Sequence, residues 1–420
     1  MPRPPAPRAL QTTDVAVIGA GVIGLTAALE LARRGRSVLL IDPGAPGSGA
    51  SHGNAGTIAD YAVAPVGTPD VLRDLPMLLF NRDSPFALHR PSLPALLPWL
   101  ARFVRASLPC ASARNAATLA ALLTDAGALW ADLAASIGVT REMRDSGCLY
   151  LYATEAEGNA AEAGLARRRA LGVRAERLSP DALAALEPGL PTMAGGAAFF
   201  PGVRWLTDPG AVMARLAAAC TAAGVQTVAA RIDRIERAAT GIVLKGHGFL
   251  RTARAAVIAA GAHSARLAAQ AGVRVPLTAE RGYHLEWDMS APLVTRPACP
   301  VARGFYLCPM AGRLRVAGTV ELGGIDAPPS PHRLAALERG ARALFPDLPP
   351  PDRSWMGLRP SVPDSLPVIG PAGPGREVIL AFGHGHIGLT LAPLTARAVA
   401  DLLAGRDPGD RLAACSPGRF

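Results

Sequence analysis

The apolar positions of the chain change period as it proceeds, and each change marks an element. The run VAVI (Val15–Ile18) is short, wholly apolar and bounded by polar and glycine residues, as a strand buried on both faces would be. From about Val22 to Arg34 the period lengthens. Leu25, Ala28, Leu29 and Ala32 share one face of a helix, which Gly35 ends. SVLLID returns to a buried strand that closes at Asp42. Residues 62–110 are apolar, basic and proline-rich, which predicts short helices broken by prolines, and residues 115–139 predict one alanine-rich helix. GCLYLYAT (147–154) alternates as a strand, 157–172 predicts a charged surface helix, and 178–190 a short helix and turn. Residues 195–227 predict a strand, a turn and a helix that starts near Pro209 with Asp208 as its N-cap. A ladder of strands over 231–273 includes AAVIAAGAHS, a strand that runs into a glycine turn. ERGYHLEW (280–287) and GFYLCPMAGRLRVAGTVEL (304–322) read as strands of one sheet. EVILAFGHGHIGLTLAP (377–393) repeats the strand, glycine-rich turn and helix of the N-terminus.

Gly19, Gly21 and Gly24 stand in G-x-G-x-x-G spacing between the first strand and its helix. Gly19 suits the tight turn, Gly21 lets the backbone approach a pyrophosphate, and Gly24 lets the helix pack on the strand. The intervening Ala20, Val22 and Ile23 present backbone N–H groups at the positive end of the helix. Asp42 lies where an acid meets a ribose hydroxyl, and Pro43 follows it. Strand, turn, helix and acid together predict a dinucleotide site. The glycine-rich loop from Gly44 to Tyr61 comes directly after the acid and offers Ser48, Ser51, Asn54, Ala55 and Gly56 along a cofactor. A loop of that kind suits FAD better than NAD.

Composition narrows the class. At 420 residues two domains are expected, and an apolar half with 18% charged residues describes a well-packed chain. Lys plus Arg exceed Asp plus Glu by 43 − 33 = 10, but the arginines are dispersed, Lys245 is the only lysine and no basic block exists. Nucleic-acid binding is therefore not expected, while a weak attraction to anionic membrane surfaces is. The cysteines at 110, 148, 220, 299, 308 and 415 form no C-x-x-C pair, so no metal site is expected. The first residues lack the apolar core of a secretory signal, and no apolar run reaches the ~18–20 residues of a spanning helix. The expectation is a cytoplasmic protein, with peripheral contact at the inner face of the cell membrane as the alternative.

The segments GAGVIGLTAALELARRG, SGASHGNAGTIADYAVAP, RGYHLEW, WMGLRPSVPDSLPVIG and GHGHIGLTLAPLTARAVADLL span nearly the whole chain. In this order they resemble the D-amino-acid oxidase superfamily of FAD-dependent amine oxidoreductases, most closely its D-amino-acid dehydrogenase branch. The resemblance implies an α/β fold: a Rossmann-like FAD-binding domain of the GR2 type, with an inserted α+β substrate domain built on an antiparallel sheet. On that pattern residues 10–60, 200–275 and 350–420 form the FAD domain, and 61–199 and 276–349 the substrate domain. The implied reaction is oxidative deamination of a D-amino acid by hydride transfer from the α-carbon to flavin, with electrons passed to a quinone or another non-oxygen acceptor. The alternatives are a dehydrogenase of cyclic D-imino acids (D-proline or hydroxy-D-proline), an oxygen-using amino-acid or glycine oxidase, and a flavoprotein subunit of an electron-transfer complex.

The same resemblance locates a site. Arg359 in GLRP matches the arginine that holds substrate carboxylate, a role suited to a planar guanidinium with two parallel N–H bonds. Ala260 and Gly261 approach the cofactor. Gly383, His384, Gly385, His386, Ile387, Gly388 and Leu389 form the second glycine turn and helix start beside the flavin ring. His386 falls where glycine oxidases place a second arginine, and a histidine there holds substrate or takes protons. Strand alternation sends Tyr283 and Leu285 to one face and His284 and Glu286 to the other. One of Tyr283 and His284 therefore faces the flavin, with Tyr283 preferred, and Tyr306 is a further pocket candidate. No catalytic base is obligatory, because a neutral amine loses hydride directly. The helices of 62–110 are expected to cap the substrate side. The competing reading has Leu78, Phe80, Trp99 and Phe103 touching a bilayer or a quinone.

Overall fold

The computed structural model describes residues 13–80, 84 and 86–420. The chain opens with β1 (Thr13–Ile18), α1 (Val22–Arg33) and β2 (Val38–Asp42). Helices α2 (Leu93–Ala106), α3 (Pro109–Leu123) and α4 (Ala126–Ser136) come next, then α5 (Pro209–Ala222) and β3 (Gln226–Ala229). β4 (Phe249–Ile258) precedes the long strands β5 (Thr278–Asp288), β6 (Phe305–Met310) and β7 (Arg313–Leu322). The chain closes with α6 (Pro331–Arg342), β8 (Arg353–Ser361), β9 (Val378–Phe382) and α7 (Gly388–Leu403).

β1 lies between β2 and β4, parallel to both; β3 extends the sheet beyond β2 and β9 beyond β4, also in parallel. Both faces of this sheet are covered, so β1 is apolar throughout, as its sequence requires. Val15 and Val17 face a core shared with α1, α5 and α7, and Ala16 and Ile18 a second core that includes Leu267 and Phe382. Asp208 caps α5 as expected, accepting the Ala211 N–H at 3.0 Å ahead of Pro209. A second sheet is antiparallel over β8, β5, β7 and β6 and continues through five short strands.

Residues 115–139 do not form one helix. α3 ends at Leu123 and α4 begins at Ala126, because Thr124 and Asp125 favour helix ends over interiors. By length and composition alone, Pro109–Ser136 is apolar enough to cross a membrane, contrary to the expectation that no such segment exists. Its apolar face instead enters the core: Leu119, Leu122, Leu123 and Trp130 are buried, and Trp130 Nε1 donates to the Leu389 carbonyl at 2.8 Å. Trp99 and Phe103 of α2 are likewise buried, stacked on each other at 5.3 Å. The side chains of Leu78 and Phe80 lie outside the described residues.

Candidate active site

The N-terminal glycine turn is shaped to receive a dinucleotide. Gly19 has φ +106°, and a Cβ there would lie 2.3 Å from the Ala259 carbonyl oxygen. Ala259 and Ala260, just beyond β4, are therefore pressed against the turn, with Gly261 next in the chain. Asp42 reaches back across it, with Oδ2 accepting the Ala20 N–H at 2.7 Å and Oδ1 the Gly44 N–H at 2.8 Å. A carboxylate has about four acceptor positions, so Asp42 keeps capacity for a diol. Ser51 Oγ accepts the Val22 N–H at 2.9 Å. Among the described residues the N–H groups of Ile23 and Gly24 meet no protein acceptor, which leaves two donors at the positive end of α1 for a pyrophosphate. The turn thus fits FAD. Ser48 and Asn54 shape the following loop from within: Ser48 Oγ donates to the Ala45 carbonyl at 2.7 Å, and Asn54 Oδ1 accepts the Gly56 N–H at 2.8 Å.

Arg359 sits on the other wall. β8 and β5 pair so that Arg359 opposes Glu280, Gly357 opposes Gly282, and Trp355 opposes His284. Opposed residues project from one face of the sheet. A pair of glycines therefore separates a guanidinium–carboxylate pair from an aromatic pair. A Cβ on Gly282 would lie 2.4 Å from Arg359 Cζ, and one on Gly357 1.9 Å from Trp355 Cη2. The guanidinium rests on one glycine and the indole on the other. Arg359 Nη1 donates to the Thr319 carbonyl at 2.9 Å. Thr319 has φ 57°, at the irregularity where the β5–β7 register shifts between Arg281 and Tyr283. That left-handed threonine, a conformation costing of order 1–3 kcal/mol, turns its carbonyl toward the cation.

Among the described residues this neutral carbonyl is the only side-chain hydrogen-bond partner of Arg359, so the rest of the guanidinium is available to a ligand. Glu280 is buried at 4% exposure; burial raises its pKa and the Arg359 charge opposes the rise. Burial in turn lowers the Arg359 pKa, against the pull of Glu280. Glu280 lines a cavity with Ser361, Trp99, Phe103 and His386.

The second glycine turn follows β9, with Gly383 at φ +79° and Gly385 at φ +54°, and leads through Ile387 into α7 at Gly388 and Leu389. The two histidines part company here. His384 is 2% exposed, and its Nε2 bonds Thr395 Oγ1 at 2.9 Å. That bond ties the imidazole to α7, while the residue still lines the cavity beside Glu280 and, among the described residues, its Nδ1 has no hydrogen-bond partner. Burial holds its pKa at about 3. His386 is open on the wall of the cleft, although protein encloses it at longer range. That enclosure, and after it the Arg359 charge, hold its pKa at about 4, so it is neutral near pH 7.

The preference for Tyr283 is corrected. Its hydroxyl donates to Glu321 at 2.6 Å and its ring is buried with Leu285, Trp287 and Leu337 of α6, on the opposite face of β5 from Arg359. His284 takes the Arg359 face. It stacks on Trp355 at 5.0 Å, and its Nδ1 lies 3.2 Å from the Gly53 carbonyl. Burial, then Arg315, lowers its pKa to about 4, so the ring is neutral and Nδ1 is the donor. Tyr306 spends its hydroxyl on Tyr61 at 3.0 Å and Tyr150 at 3.1 Å.

Sequence reasoning missed Glu280 and Trp355 as site residues. Both fall on the His284–Arg359 face by alternation, so the signal was there once the face was known. Arg315 carried no local signal. Its Nη1 donates to the carbonyls of His52 and Asn54 at 3.2 and 2.6 Å, while Glu286 Oε1 accepts from its Nε at 2.8 Å. The substrate-side sheet thereby grips the cofactor loop.

Comparison with known proteins agrees with this geometry. A family model described as FAD dependent oxidoreductase (DAO) matches residues 14–402. The chain is 36% identical over 426 residues to D-amino-acid oxidase of Bradyrhizobium diazoefficiens, covering 97% of this chain and 98% of that one. It is 31% identical over 419 residues to D-amino acid dehydrogenase of Cereibacter sphaeroides, covering 94% and 92%. Among solved structures, glycine oxidase from Geobacillus kaustophilus superposes with a TM-score of 0.78 at 28% identity, over 97% of this chain and 99% of that one.

Proposed function

The chain belongs to the DAO family of FAD-dependent oxidoreductases, with FAD as its cofactor, and on that premise we propose that it oxidises D-amino acids at the α-carbon. The observation that carries this reading is Arg359: a guanidinium laid on Gly282, with one neutral hydrogen-bond partner among the described residues and Glu280 beside it. A cation next to a carboxylate is the complement of an amino-acid zwitterion. Arg359 binds the substrate carboxylate through two N–H bonds, and Glu280 faces the ammonium. The raised pKa of buried Glu280 suits it to take one ammonium proton, which leaves the neutral amine that releases hydride.

Bound FAD supplies the two-electron acceptor for that hydride. The free N–H groups of Ile23 and Gly24 and the carboxylate of Asp42 would hold the cofactor's pyrophosphate and ribose. Neutral His386 serves as a hydrogen-bond partner for substrate or product. Trp99 and Phe103 give the substrate side chain an apolar wall. The product imine leaves and water hydrolyses it to a 2-oxo acid and ammonia. Cyclic D-imino acids present the same carboxylate and nitrogen and are included in the donor class.

The acceptor is the point on which the two relatives' names differ. A quinone-class acceptor is proposed. Oxygen is the second reading, favoured by the 36% identity to a D-amino-acid oxidase. Anaerobic titration of the holoenzyme with matched D- and L-amino acids tests the donor. D-isomers are expected to bleach the flavin absorbance, and bleaching by L-isomers alone would refute the reading. Reoxidation by a quinone under argon, compared with air alone, tests the acceptor.

A further inference from the structure

A second cavity, of about 510 Å³, lies between α2, α3 and the C-terminal residues. It shares a wall with the cavity that Glu280 lines. Phe103, Leu119, Val362 and Ser365 line the cavity beside Glu280, while their chain neighbours Arg102, Thr118, Pro363 and Asp364 line this one. The volume falls within the roughly 300–1,000 Å³ of small-molecule sites.

Its chemistry is unlike that of the substrate site. Arg102 and Arg105 of α2 and Arg114 of α3 all line it, and among the described residues none of the three has an ion pair or a side-chain hydrogen bond. Arg419 is also present but is committed to Asp364, Nε to Oδ2 at 2.8 Å. Four guanidiniums against one carboxylate leave an uncompensated excess of three positive charges. Asn115 lies among them. It is 3% exposed, and among the described residues its buried amide nitrogen has no hydrogen-bond partner. A buried donor of this kind is completed by an ordered water or by a group bound in the cavity. Leu366 and Phe420 give the cavity an apolar side.

We infer that this cavity binds a phosphate ester. The phosphate oxygens are taken by Arg102, Arg105 and Arg114, one of them accepts from the Asn115 amide, and the ester's carbon portion lies against Leu366 and Phe420. Three exposed guanidiniums lining one cavity suit a tetrahedral dianion better than a lone carboxylate. The ester is either a soluble metabolite or the headgroup of an anionic lipid; Val104 and Leu108, 43% and 49% exposed near the arginines, are compatible with the second source.

The test uses the FAD-loaded full chain at physiological ionic strength. Two probes are titrated: glycerol 3-phosphate by calorimetry, and phosphatidylcholine vesicles with and without phosphatidylglycerol by co-sedimentation. Saturable binding of glycerol 3-phosphate identifies a soluble ester. Binding only to phosphatidylglycerol vesicles identifies a lipid headgroup. In either case the double substitution Arg105→Ala/Arg114→Ala must weaken binding by about tenfold or more. Asn115→Leu must weaken it as well, with FAD content and melting temperature held as controls for folding. Absence of binding to both probes, or binding that the double substitution leaves unchanged, overturns the inference. Neither readout involves turnover, so the result is independent of the identity of the amine donor.

Discussion

Replacing Gly282 by alanine places the sharpest demand on the site. The new Cβ would lie 2.4 Å from both Cζ and Nη2 of Arg359 and 2.8 Å from Nη1. Ordinary contact is about 3.5–4.0 Å, so the guanidinium must retreat by about 1 Å or more. It is the far end of a flexible side chain, and the strand survives while the cation moves. Misplacing a positioning group by about 1 Å costs roughly 10²-fold. Losing one of two charge-assisted hydrogen bonds costs about 1.5–3 kcal/mol, or roughly 10- to 150-fold in affinity. Both routes give a loss near a hundredfold. Anaerobic stopped-flow reduction by a D-amino acid reads the apparent Kd, and FAD content is measured on the same samples. Gly282→Ala is expected to raise Kd by about that factor and to retain cofactor. In an Arg359→Ala background the same change is expected to add less than about 0.5 kcal/mol, because the group it displaces is gone. Wild-type affinity in the single variant, or full additivity in the double, would refute the reasoning.

Glu280→Gln removes the proposed proton acceptor, so the rate of anaerobic reduction is expected to fall by about 10²–10⁴-fold near neutrality. It should recover at high pH as free amine becomes available; an unchanged pH profile excludes the role. Asp42→Ala deletes the acceptor of the Ala20 and Gly44 N–H groups and the ribose partner. FAD is expected to dissociate about 10–100-fold more readily, measured by equilibrium dialysis. Glu286 is opposed by burial, but its ion pairs with Arg315, Arg353 and Arg313 prevail and hold its pKa at about 2, below the ordinary 4.5. A depressed pKa contributes stability above pH 4.5 that is lost as pH falls through about 2, on the order of 3 kcal/mol. The urea midpoint of Glu286→Gln should therefore lie well below wild type at pH 7 and approach it near pH 2; a constant gap contradicts this.

The nucleotide turn was legible because every signal there is local: apolar strand, glycine spacing, helical period and Asp42 fall within one short stretch. Arg359 was legible through family resemblance. The choice between Tyr283 and His284 was not, because alternation assigns residues to two faces without saying which face is covered. The packing of α6 on the Tyr283 side decides it. His384 and His386 are two residues apart in a tight turn, and only the position of Thr395 on α7 shows which one turns inward. Arg315 grips a loop 263 and 261 residues away in sequence, a contact that no periodicity announces. The break at Thr124–Asp125 was visible as two poor helix-interior residues but was outweighed by the alanine-rich composition on either side.

The central claim is that Arg359 anchors the substrate by its carboxylate. A crystal structure of the oxidised holoenzyme with a bound 2-oxo acid product tests it most directly. Both carboxylate oxygens are predicted within about 2.7–3.2 Å of Arg359 guanidinium nitrogens, over the Gly282–Gly357 pair. A carboxylate bound elsewhere in the cleft, with Arg359 still on Thr319 alone, would contradict it.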